Sequence, residues 1–432
     1  MHPELSFAQA PPLAAPLRFF LAAPWFGALA GLLLAWGGED AFASRWSPLA
    51  LAVTHLMTTG FMLQVMCGAL LQFVPVTTGA NVWRPELLAQ WLQPLLAVAS
   101  LLLATGFVVG SPLLLVAAAG LFVLGTGAFA GVIAAALWRT VATGMMLWVL
   151  RYALVGLVLA VAPGALLAVI LFRGVDVPFF SLIEVHQAWG LGGWALLLLA
   201  GVSWQVVPMF QLTPPYPAGF TRNFVWILLV ALVLVSLRLV MDTAGWAAAG
   251  DLVLLSLVAS HAMLTLWLQQ RRRRKLVDVT FTFFRLAMFC LLGFALAGGA
   301  AVFFPALGSI PNFAIGMGVL VLGGVFTSAL SGMLYKIVPF LGWLHLQRLG
   351  APLSAVPNMK GMLAEVAMRR HWALHLSALV LLLAAAWLPW LVRLAGLVFA
   401  ASCAALGWNL ITAARRYTLF RDRIHASGLH RG

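Results

Sequence analysis

Gly68-Ala-Leu-Leu-Gln72-Phe-Val-Pro75 returns as Gly201-Val-Ser-Trp-Gln205-Val-Val-Pro208 and again as Gly332-Met-Leu-Tyr-Lys336-Ile-Val-Pro339. In each copy a long polar side chain stands one helical turn after the Gly, and a Val-Pro pair closes the phrase. The first glycines of the copies, Gly68, Gly201 and Gly332, are almost evenly spaced along the chain. A period that long in an apolar chain points to a whole block of helices present three times. Arg18, Arg151 and Arg285 repeat at nearly the same interval and support the same division.

The chain of 432 residues is 63% hydrophobic and only 8% charged, against about 25% charged in a soluble domain. Continuous runs of Leu, Ala and Val reach the roughly 20 residues needed to cross a bilayer. They number about twelve, near 17–37, 48–76, 88–110, 113–138, 147–172, 180–209, 223–241, 246–269, 279–305, 312–339, 371–392 and 394–414. The lack of alternation excludes a β-barrel. The expected fold is therefore an all-α polytopic membrane bundle. It has three pseudo-equivalent four-helix repeats, 12–143, 144–277 and 278–418, a cytoplasmic loop near 340–370 and a basic tail at 419–432.

The net charge of +14 is distributed by side rather than clustered as a nucleic-acid surface. With the N-terminus in the cytoplasm, the outer loops hold only Arg45, Arg173, Arg238 and Arg393 of the 25 basic residues. The others, including Arg271–Lys275, Arg369, Arg370, Arg415, Arg416, Arg421 and Arg423, fall inside. That bias predicts N-in, C-in topology in a bacterial-type inner membrane. The Arg271–Lys275 run reads as a stop signal at a helix end, with attraction for anionic headgroups as the alternative. Residues 1–16 lack the pattern of a cleaved signal. Cys67, Cys290 and Cys403 show neither metal nor disulfide spacing, and no Cys-x-x-Cys-His for covalent haem is present.

Each phrase is expected to end the second helix of its repeat. Gly permits close helix approach, Pro ends or kinks the helix, and Gln72, Gln205 and Lys336 reach toward the interface or across helices. His2, His345, His425 and His430 fall in tails or loop. The informative histidines are His55, His186, His261, His371 and His375, because an ionisable group inside a membrane is costly. His55 and His186 precede Gly68 and Gly201 by similar stretches of helix, and Met317 takes the place before Gly332 that His186 takes before Gly201. Imidazole and thioether are both axial ligands of haem iron, so His55, His186 and Met317 are candidate cofactor ligands. His371 and His375 are four apart on one helix face and are a further candidate metal pair, set by the spacing at the cytoplasmic surface beside Arg369 and Arg370. His261 reads as a buried histidine held by hydrogen bonds.

Twelve helices in three arcs, with His near the outer end of the second, resemble the catalytic subunit of haem–copper oxidases. The first phrase and its surroundings resemble the NnrS family of haem- and copper-containing membrane proteins still more closely, through His55, Gly60-Phe61, Gly68, Pro75, Thr78 and Gly79. The resemblance implies haem b, with copper as a second metal, and a role in nitric oxide or redox-stress handling or as a respiratory accessory protein. Its implied partners are the lipid bilayer, a small gas ligand and a respiratory complex, with no nucleic acid. Arg45 or Arg173 would pair with haem propionates. Where that family tends to carry a second His and an acid, this chain has Val53 and Leu56. The tenth helix has no His and the sixth only His186, so a complete oxygen-reducing centre is not expected. A metal-free transporter or channel lined by Gln72, Gln205 and Lys336, and a structural subunit or assembly factor of a respiratory complex, are the alternatives.

Overall fold

The computed structural model describes residues 10–175, 178–239, 244–273, 278–349 and 356–426. Arg274, Lys275, His2 and His430 lie outside the described residues. Twelve long helices run through these stretches: α1 (Ala14–Gly37), α2 (Pro48–Thr78), α3 (Pro85–Val108), α4 (Pro112–Arg139), α5 (Met145–Arg173) and α6 (Phe179–Gln211), then α7 (Ala218–Leu239), α8 (Ala244–Gln270), α9 (Val279–Phe303), α10 (Phe313–Gln347), α11 (Glu365–Ala385) and α12 (Val392–Ala426). No strand occurs among the described residues.

Eleven of these helices are long and apolar enough to cross a membrane, which makes this a multi-pass membrane protein. The one left out is α11, whose first turns carry Arg369, Arg370, His371 and His375 and dilute its apolar run. Local signals set the helix starts. Ser47 and Ser111 accept hydrogen bonds from the Ala50 and Leu114 amides ahead of Pro48 and Pro112. Asp278 caps α9 by accepting from Phe281 N. A side-chain acceptor beside a Pro at the first helical position satisfies amides that have no partner within the helix.

The helices α2, α6 and α10 share a feature absent from the sequence reading. Each passes through a π-helical stretch, Leu56–Met62 in α2, Ala188–Leu196 in α6 and Leu320–Thr327 in α10. The π turn bonds i to i+5 and so widens the helix locally. The three stretches begin at equivalent places ahead of Gly68, Gly201 and Gly332. Each of those glycines meets the preceding long odd-numbered helix at close range. A Cβ on Gly68 would fall 2.8 Å from Phe19 Cβ of α1, and one on Gly332 would fall 2.9 Å from Phe283 Cβ of α9. At Gly201 it would collide with Val149 of α5.

The seams between consecutive helices include α4 on α5 and α8 on α9, while α12 returns to pack along α1. This last seam is made of small residues. Gly31 and Gly396 face each other so closely that a Cβ on either would stand 2.6 Å from the other's carbonyl oxygen. Close backbone approach of this kind is a main source of packing energy where lipid supplies no hydrophobic drive.

Three boundaries differ from the sequence reading. Pro75, Pro208 and Pro339 do not end their helices, which continue to Thr78, Gln211 and Gln347. A proline removes one hydrogen bond and leaves the rest of the ladder intact. The loop expected near 340–370 is shorter, because α10 reaches Gln347 and α11 begins at Glu365. The tail expected at 419–432 is helical through Ala426. The last two differences share a cause: Leu346, Val356, Met362 and Ile424 form a small buried cluster that holds the ends of α10 and α12 together.

Candidate functional site

His55 is the last α-helical residue before the π stretch of α2. Its Nδ1 lies 2.7 Å from Leu51 O, one turn back. A carbonyl only accepts, so Nδ1 carries the proton and Nε2 keeps its lone pair. Thr59 Oγ1 bonds His55 O at 2.7 Å and lies 3.0 Å from Ser100 Oγ of α3, which ties this turn to the neighbouring helix. The Phe107 ring stands beside His55 with centres 4.9 Å apart.

His186 stands just before the π stretch of α6. Its Nδ1 donates to Ala160 O of α5 at 2.8 Å, so its Nε2 is likewise the lone-pair nitrogen. Gly164 makes room for the ring: a Cβ there would sit 2.8 Å from His186 Cε1. The structure brings these two histidines together. Their ring centres are 6.4 Å apart and their planes differ by 14°. The two rings thus form a stacked pair. Both rings are half-buried.

Glu184, on the same short stretch of α6 as His186, pairs with Arg238 at 3.1 Å, and Arg238 also holds Asp251 at 3.1 Å. Arg45 lies over the Trp46 ring, which packs edge-on against Phe180, and Arg173 lies over Phe172. These groups give the end of the bundle near the pair both signs of charge.

Met317 points elsewhere. Its methyl packs 3.4 Å from the position a Cβ would take on Gly298 of α9. His371 and His375 are enclosed within the protein; they are 2% and 1% exposed. Partners from other helices account for the burial. Asn409 of α12 donates to Tyr335 Oη at 2.8 Å, so the Tyr335 hydrogen is directed at His371 Nδ1, 2.7 Å away. His375 Nε2 bonds Ser328 Oγ at 2.7 Å, while its Nδ1 has no partner. Phe283 packs against both imidazoles, with ring centres 5.1 and 5.4 Å away. This polar cluster was invisible in the sequence because its members come from α10, α11 and α12.

His261 is fully buried, as expected, but neither ring nitrogen has a hydrogen-bond partner. It stacks on Tyr216 at 6.1 Å and 11° and meets Phe224 at 5.5 Å. Burial pushes the Tyr216 phenol up to about 12, so it remains a neutral hydroxyl, 2.8 Å from Thr265 Oγ1. His345 belongs to α10 rather than to a loop and bonds Leu341 O and Pro11 O.

At the opposite end, Lys336 of the third phrase pairs with Asp278 at 2.7 Å. Burial disfavours the Asp278 anion, but the hydrogen bond and charge of Lys336, with Thr280 and the Phe281 amide, outweigh it. They hold this carboxyl below its ordinary 3.8. The three cysteines are buried and unpaired. The π stretches of α2, α6 and α10 leave no distinct pattern in the sequence.

No family model matches the chain, and no curated protein matches it.

Proposed function

We propose that the chain is a haem-binding inner-membrane protein of NnrS-like type, and that His55 and His186 are the residues that would hold the haem iron. The observation that carries this reading is the pair itself: two near-parallel imidazoles 6.4 Å apart, each with Nδ1 committed to a carbonyl. In metal-binding histidines such a bond from the far nitrogen fixes the tautomer and the ring orientation.

The donor set favours haem over a bare ion. No group of three or more His, Cys, Asp or Glu side chains suited to a metal occurs among the described residues. Zinc and copper sites ordinarily draw three or four ligands from the protein, whereas a porphyrin brings four nitrogens and asks for two. The group proposed is haem b, as the family resemblance implies; the chain has no Cys-x-x-Cys-His for covalent attachment. Bound there, haem would supply one-electron redox chemistry, which suits redox-stress or nitric oxide handling or a respiratory accessory role. His55 and His186 would hold it, Gly164 leaves His186 its place, and Arg45 and Arg173 would be the cations for its propionates.

The same reading takes α11 as a twelfth crossing and the chain as three four-helix units with both termini cytoplasmic. It is supported by the three π stretches at matching places before the repeat glycines and by the equivalent close contacts of those glycines. The bias of Lys and Arg toward one side supports the orientation.

The test is the optical spectrum and haem content of protein purified from haem-sufficient cells. Wild type is expected to show a Soret band and six-coordinate low-spin features. His55→Ala and His186→Ala are each expected to lose them while remaining monodisperse and helical. Wild-type protein without haem, or both variants with unchanged spectra, sinks the proposal.

A further inference from the structure

We propose that the notch between the end of α8 and the start of α9 binds the phosphate group of an anionic phospholipid headgroup. A cavity of about 270 Å³ lies there, lined by Gln269, Gln270, Arg272, Phe281 and Arg285. That is slightly below the roughly 300–1,000 Å³ of small-ligand pockets, a size for a headgroup rather than a whole lipid. Two of its five lining residues are guanidinium groups, and none is acidic. Arg272 is held over the Phe281 ring at 3.9 Å, and Arg285 lies one turn further along α9. Planar guanidinium forks bind phosphate oxygens in pairs.

Gln269 closes the inner wall of the notch: it is 2% exposed, and its Nε2 donates to Gln211 Oε1 at 2.9 Å.

The surroundings favour a lipid over a soluble phosphate. Phe289 and Leu296 continue the Arg285 face of α9 and are exposed, so an apolar track for acyl chains leads out of the cavity. Arg271 lies over the half-exposed Trp267 ring at 3.7 Å, a pairing suited to the membrane interface. Arg273 N donates to Leu212 O at 2.9 Å and ties the basic turn to the end of α6. The headgroup site does not depend on the haem proposal; only the naming of the leaflet, cytoplasmic, rests on the topology proposed with it.

The experiment is lipid titration of the delipidated full chain, read by native mass spectrometry and by the thermal midpoint in detergent. Phosphatidylglycerol, phosphatidylcholine and inorganic phosphate are the probes. Wild type is expected to bind one phosphatidylglycerol about tenfold or more tightly than phosphatidylcholine, an excess that Arg272→Gln/Arg285→Gln abolishes. Arg139→Gln, away from the cavity, is expected to keep it. Equal affinity of wild type for the two diacyl lipids, or an unchanged preference in a double variant that remains helical and monodisperse, overturns the proposal. Inorganic phosphate that blocks phosphatidylglycerol and raises the midpoint equally overturns the lipid assignment and makes a soluble phosphate anion the occupant. The comparison of lipids on wild type decides the matter even if the double variant does not fold.

Discussion

Gly164 stands where a single methyl group would press on His186, 2.8 Å from Cε1 and 3.0 Å from Nδ1. Gly164→Ala is therefore expected to turn the imidazole away from Ala160 O and, on the haem proposal, to lower haem occupancy, with helix content unchanged. Haem per protein and far-UV circular dichroism measured on the same sample check this. Tyr335 and Ser402 make a contrasting pair of buried hydroxyls. Tyr335 serves both His371 and Asn409, so Tyr335→Phe strands two buried polar groups and is expected to cost about 1–3 kcal/mol. Ser402 Oγ is buried without a partner, so Ser402→Ala is expected to leave the unfolding midpoint unchanged or raise it. Thermal unfolding in detergent measures both. His55 and His186 could be singled out in the sequence because an imidazole stands out in an apolar helix. The burial of His371 and His375 could not, because Tyr335 and Asn409 are far from them in the chain and sit on other helices.

Within α2, the π stretch sets the angle at which His55 leaves the helix relative to Gly68. A π turn is in effect one residue inserted into an α-helix. Deleting Thr58 is expected to restore regular helix and rotate His55 by about 100° against the Gly68 contact. On the haem proposal, loss of haem with retained helicity is the predicted result. At the start of α9, Asp278 caps Phe281 N, accepts from Thr280 Oγ1 and pairs with Lys336. Asn keeps the cap, so Asp278→Asn removes the charge that Lys336 pairs with. Because the folded pKa of Asp278 lies below its ordinary 3.8, the stabilisation is complete above that ordinary value. It is lost as the pH falls through the lowered one. The difference in unfolding midpoint between wild type and Asp278→Asn is thus expected at neutral pH and should vanish in strong acid. The helices themselves were legible from apolar runs, and the Ser-Pro starts from composition. The π turns were not, since a regular helical period and one slightly wider look alike over so short a stretch.

The seam of α1 on α12 packs the first long helix along the last. Gly31→Val puts a branched side chain against Ala400 N and Gly396 O, and overpacking of this kind is expected to cost about 1–3 kcal/mol. A lower temperature of aggregation in detergent, with Gly293→Val on open space as control, checks it. By itself the sequence determined a helical, multi-pass membrane chain with a phrase repeated three times, because apolar length and residue spacing are local properties carried by each segment alone. The tertiary structure decided which histidines meet. It joined His55 to His186 across α2 and α6, turned Met317 toward α9, and enclosed His371 and His375 in hydroxyl partners. Those outcomes depend on how far each helix rotates about its axis. That rotation is set by glycine contacts and π turns between helices distant in the chain, which no single segment encodes.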